Sequence, residues 1–113
     1  MPIWNVAPVD QSPEVVLRDW TIMEVTSPYW DGPSRHFIGY NVSDREGRVS
    51  SQIVQFDAGS MCGVTRSGRV YKLMDSQGYD SDAGYVWQRW KEINHVETEK
   101  DVSGEVCGHV INE

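Results

Sequence analysis

Three histidines, two cysteines and several close carboxylate groups are the residues of this chain that could do chemistry. Nucleophilic catalysis needs a Ser or Cys activated by a base that a third group orients. Cys62 has histidines elsewhere in the chain but sits in no recognisable elbow or signature, and reads first as a small strand side chain. Cys107-Gly108-His109 offers one pair of metal-type donors, with Cys62 or His36 far away in sequence, whereas zinc sites draw on two close pairs. No metal site and no cofactor is therefore expected. Asp80 and Asp82 have a sufficient role at a helix N-terminus, and Glu97, Glu99 and Asp101 read as a solvated acidic face. The glycine-containing runs Gly59–Gly63 and Ser67–Arg69 match no phosphate-cradling fingerprint. No catalytic residue emerges, and the expectation is a protein that is not an enzyme.

Two binding chemistries remain. Arg45, Arg48, Arg66, Arg69 and Lys72 lie close in sequence to Tyr40 and Tyr71, and a sheet carrying Arg and aromatic side chains can stack single-stranded bases. Arg48, Arg66, Arg69 and Tyr71 are the candidate nucleic-acid-binding set. Against it stands a formal net charge of -7, which disfavours neutralising a phosphate backbone. Charge is unevenly spread: residues 32–72 carry six bases and three acids, while residues 73–113 carry nine acids and three bases. The acidic C-terminal third suits a partner with a basic surface, and Glu92, Glu97, Glu99 and Asp101 are the candidate contact residues.

The elements that must position these groups belong to one domain, since 113 residues and 39% hydrophobic content suffice for one core. Three prolines punctuate residues 1–19, which read as an N-terminal arm; Pro13–Leu17 could open a short helix capped by Ser12. Strands are expected over Trp20–Thr26, His36–Val42, Arg48–Phe56, Met61–Arg66 and Arg69–Met74, the last two joined through Ser67-Gly68. The period then changes. Ala83, Val86, Trp90 and Ile93, with Trp87 beside them, define one face of a helix begun by Asp80 or Ser81 and stopped near Asn94. The expected fold is α+β: an antiparallel meander of four to five strands with the helix packed on one face. Trp87, Trp90, Val54, Phe56 and Val70 should lie in or near the core. The single domain spans 20–102, and 103–113 form a C-terminal tail. With no apolar run long enough for a bilayer and no signal-peptide pattern, the expected location is cytoplasmic, with Cys62 and Cys107 reduced.

Arg48–Asp57 (RVSSQIVQFD) followed by Thr65–Leu73 (TRSGRVYKL) resembles small uncharacterised proteins encoded by phages and prophages of proteobacteria. In that group the same core precedes an aspartate-rich turn and a "YVW-RW" helix, here Asp80-Ser81-Asp82 and Tyr85–Trp90. The resemblance covers Trp20 to Val102 and carries no catalytic residue. It implies a class of work: small acidic phage proteins often act by binding a host machine, with anti-CRISPR proteins the best-known kind. The resulting expectation is an inhibitor or modulator of a host nucleic-acid-handling complex. The partner would be a host protein or ribonucleoprotein with a basic surface, with no membrane and no direct nucleic-acid contact. The alternatives are the single-stranded nucleic-acid-binding module above and an enzyme of unrecognised class.

Overall fold

A computed structural model of the chain describes residues 14–74 and 77–107. The order is β1 (Glu14–Thr26), β2 (Ser34–Asn41), β3 (Glu46–Val49), β4 (Ile53–Asp57), β5 (Cys62–Thr65), β6 (Val70–Leu73), α1 (Ser81–Ile93), β7 (Thr98–Asp101) and α2 (Ser103–Cys107). The class is α+β, but the sheet holds seven strands and is mixed. β1 runs parallel to β6, Glu14 opposite Val70 through Leu17 opposite Leu73. The other pairings are antiparallel.

β1 organises the molecule. Its 13 residues pair along one side with β2, and along the other first with β6 and then with β7. Residues 14–19, expected in the arm, begin this strand instead of a helix; Ser12, the expected cap, lies outside the described residues. The physical reason is legible afterwards: Val15 and Leu17 alternate with less buried neighbours, and β-branched Val15 and Val16 favour the pleat. Alternation breaks at Asp19, a non-glycine residue at φ 48, where the register with β2 shifts between Arg18 and Thr21. Such a bulge re-aims the side chains around it.

The expected strand Arg48–Phe56 is two strands. Ser50, Ser51 and Gln52 separate β3 from β4, and these two strands occupy opposite margins of the order β3-β2-β1-β6-β5-β4. A three-residue link can join opposite margins only if the sheet curls back on itself. Ser50 fixes the corner: its amide donates to the Phe37 carbonyl, and its hydroxyl oxygen accepts from the Phe37 amide at 2.9 Å. Among the described residues no strand pairs with the outer side of β4 or of β7.

The curl gives two apolar layers. Inside it lie Leu17, Trp20, Ile22, Phe37, Tyr71 and Leu73, closed at one end by Val102 and Cys107. The expected tail therefore contributes α2 to the core through Cys107, while residues 108–113, His109 among them, lie outside the described residues. The second layer packs Val25 and Ile38 of the sheet against Ala83 and Trp87 of α1, with Trp30, Val49 and Trp90 around them. One core assignment needs correction: Val54 is 59% exposed because its outward parity on the marginal strand β4 meets no covering element. Ile93, expected on the apolar face of α1, is 64% exposed at its last turn. Phe56 and Val70 are half-buried, Phe56 against the inner core.

Candidate functional site

The candidate site is the acidic side built by α1, β7 and the segment leading into α1. Asp80 caps the helix, its Oδ2 accepting from the Ala83 amide at 3.0 Å, and Asp82 follows in the first turn. After Asn94 closes α1, His95 at φ 51 turns the chain, and the Glu97 amide reaches the Thr26 carbonyl to start β7 along β1. Residues 98–101 are all exposed. Met23 lies opposite Asp101 and Val25 opposite Glu99, so these acids share the α1 side of the sheet.

The four acids singled out by sequence have different roles. Glu99 is committed internally, accepting from the Trp87 indole at 3.2 Å and the Lys91 ammonium at 2.6 Å. Burial opposes ionisation of Glu99, yet those two bonds and the Lys91 charge prevail and hold its carboxyl below the usual range. Asp101 accepts from the Ser103 amide, opening α2, and from Gln77. Glu92 stands 4.0 Å from Arg89 on the helix surface, and Glu97 is exposed. Across residues 77–107 there are seven acids and three bases. Each base lies against an acid of the same segment: Arg89 with Glu92, Lys91 with Glu99, Lys100 with Glu105. Asp80, Asp82, Glu97 and Asp101 have no cationic partner among the described residues.

The Arg and Tyr set presents no common exposed face. Tyr71 is buried in the inner core, with its hydroxyl accepting from Arg48 Nε at 3.1 Å, and Arg69 is buried as well. Only Arg66 is fully on the surface and Arg48 is half-buried, so the four do not form a face on which bases could stack. Sequence proximity misled because Tyr71 and Arg69 alternate inward on β6 and at its entrance, the sheet having an interior once it curls.

Two features had no sequence signal. The first is a cavity of about 110 Å³ between the start of α1 and the middle of β1, with Ile38, Ala83 and Trp87 as buried lining, Met23 beside them, and Asp19 and Asp80 also among the residues around it. Two glycines make room for its walls. A Cβ at Gly78 would lie 2.9 Å from Asp19 Oδ1, and one at Gly84 would lie 2.5 Å from the hydroxyl of Tyr79, an exposed ring at the cavity's edge. The second is a buried imidazole. His36 Nδ1 faces the Ser50 carbonyl at 2.9 Å and so carries the proton; Nε2, 2.7 Å from Ser34 Oγ, accepts. Its ring lies 4.7 Å from Trp90, and burial holds it neutral and pushes its pKa down despite the backbone bonds.

Cys62 is half-buried, Cys107 buried, and both are free thiols; burial pushes the Cys107 thiol up, away from the reactive thiolate. No group of three metal-type donors occurs among the described residues, and none of their helices is long and apolar enough to cross a membrane. Comparison with family models, curated proteins and solved structures found no match.

Proposed function

We propose that this protein works by contact, docking its α1–β7 side on a cationic surface of a host nucleic-acid-handling complex and so blocking or modulating it without catalysis. In its most specific form the partner is a CRISPR effector, following the resemblance to phage and prophage proteins. The observation that carries the reading is the local charge balance. Every base of residues 77–107 is matched by an acid of that segment, which leaves Asp80, Asp82, Glu97 and Asp101 without a cationic side chain against them among the described residues. CRISPR effectors hold RNA and DNA in positively charged channels. Acids displayed on a rigid helix and strand would meet such a channel where nucleic acid otherwise enters. Complementary charge of this kind speeds encounter and fixes orientation more than it adds affinity.

The test is a cleavage assay with a purified effector complex. One equivalent of the protein should suppress cleavage of the target, with suppression weakening as salt rises. The double variant Asp82→Asn/Glu97→Gln removes two uncompensated charges without touching a cap or a core contact, and should weaken binding about tenfold. The control Glu14→Gln/Glu46→Gln should behave as wild type. Binding indifferent to both salt and the first variant would overturn the reading, as would turnover of a substrate by the protein alone.

A further inference from the structure

The cavity at the start of α1 has the shape and chemistry of a receptor for one side chain. We infer that it takes a lysine side chain of the docking partner, with the aliphatic stem inside and the ammonium between Asp19 and Asp80; this rests on the contact reading above and gives it an anchor. Its volume of about 110 Å³ is well under the roughly 300–1,000 Å³ of small-molecule pockets and suits a single side chain. The lining suits that stem: Ile38, Ala83, Trp87 and Met23 are apolar. Two hydroxyls also line it, Thr21, which is spent on the Gly78 carbonyl at 3.2 Å, and Tyr79, so Asp19 and Asp80 are its charged residues; an amphipathic side chain buries its stem while its charge stays at such a rim.

Two independent observations single out Asp19. It interrupts a 13-residue strand at a left-handed φ of 48, where the register with β2 shifts and the bulge re-aims its side chain. The missing side chain of Gly78 leaves the space beside which its carboxylate lies. Asp19 already pairs with Arg18 at 2.7 Å, but that pair is open to solvent and Arg18 also lies 4.3 Å over the Tyr40 ring, so an incoming ammonium faces a weak competitor. Asp80 belongs to the uncompensated set, and its helix-capping bond uses only Oδ2. The chain also contains an instance of the same recognition. Lys91 places its ammonium 5.5 Å over the Trp87 ring with Glu99 as counter-charge.

An NMR titration of the full-length, ¹⁵N-labelled protein tests this with three probes: the Nα-acetyl methylamides of lysine, norleucine and arginine. Lysine should shift the Ala83 and Gly84 amides and the Trp87 indole with millimolar half-saturation. Norleucine, which has the stem without the charge, should bind about tenfold more weakly, the worth of one charge-assisted bond. Asp19→Asn tolerates the left-handed backbone, its own spectrum reports its fold, and it should weaken lysine binding by a similar factor. Norleucine binding as well as lysine would reduce the cavity to an apolar dent; arginine binding better would overturn the lysine assignment. No shift with any probe would remove the site. If that happens while Asp82→Asn/Glu97→Gln still relieves the effector, the anchor falls and the docking reading stands. Should lysine bind while the effector ignores salt and charge, it is the docking reading that falls.

Discussion

At the scale of single residues, His36 and Gly47 make the clearest demands. A neutral imidazole sealed beside Trp90 with a depressed pKa binds a proton less readily folded than unfolded. The stability it contributes is present above the ordinary histidine pKa of about 6.5 and drains as pH falls below it toward the folded value. The urea midpoint should therefore drop between pH 7.5 and pH 5.5, and His36→Gln should flatten that part of the profile. Glu99, whose pKa is also depressed, adds a separate loss below the usual carboxylate range, which the histidine variant should retain. At Gly47 on β3 the backbone of α1 comes close against the sheet, since an added Cβ would collide with the Asp82 carbonyl. Backbone cannot swing aside as a side chain can, so Gly47→Ala should cost about 1–3 kcal/mol in denaturant unfolding. Neither demand could be read from sequence. His36 looked like one of three interchangeable titratable groups, and Gly47 like a link between two expected strands, because what constrains each is supplied by residues from another element.

At the scale of elements, α1 was the most legible piece. Asp80, Ala83, Trp87 and Asn94 are a local code of cap, apolar stripe and stop, and the helix found spans Ser81–Ile93. Asp80→Ala should cost about 1 kcal/mol of thermal or denaturant stability, while Asp80→Asn should be nearly neutral because the amide oxygen still caps. β2, β5, β6 and the second half of β1 were legible as strands, whereas the start of β1 read as arm and β7 as acidic face; Gly68 at φ 89 makes the turn after Ser67. The partners of the strands were not legible, because pairing is decided by where the chain returns. The run from Arg48 to Phe56 has the composition of one strand, yet Ser50 bonds to Phe37 and breaks it at a corner. The acidic side was visible as charge along the chain. What was hidden was its division of labour, Glu99 holding Trp87 and Lys91 while Glu97 faces water.

At the scale of the whole molecule, β1 belongs to both apolar layers, Leu17 and Ile22 to the inner one and Val25 to the one under α1. Neither layer can loosen without disturbing the shared strand. Indole fluorescence, weighted toward the layer of Trp30, Trp87 and Trp90, and far-UV circular dichroism should therefore report the same denaturation midpoint. Ile22→Ala should move both together by about 2–5 kcal/mol of unfolding free energy. Separate midpoints would mean that the layers melt independently. The unpaired outer sides of β4 and β7 have a consequence of another kind. Each is a row of amide and carbonyl groups ready to extend into a neighbouring molecule, and β4, Ile-Val-Gln-Phe-Asp, carries only one charge to discourage that. With a net charge of -7, repulsion between copies guards these margins. Acidification that titrates the carboxylates, or salt that screens them, would then let copies stitch together margin to margin into fibres, so the negative charge of the surface would keep the free protein from polymerising on itself.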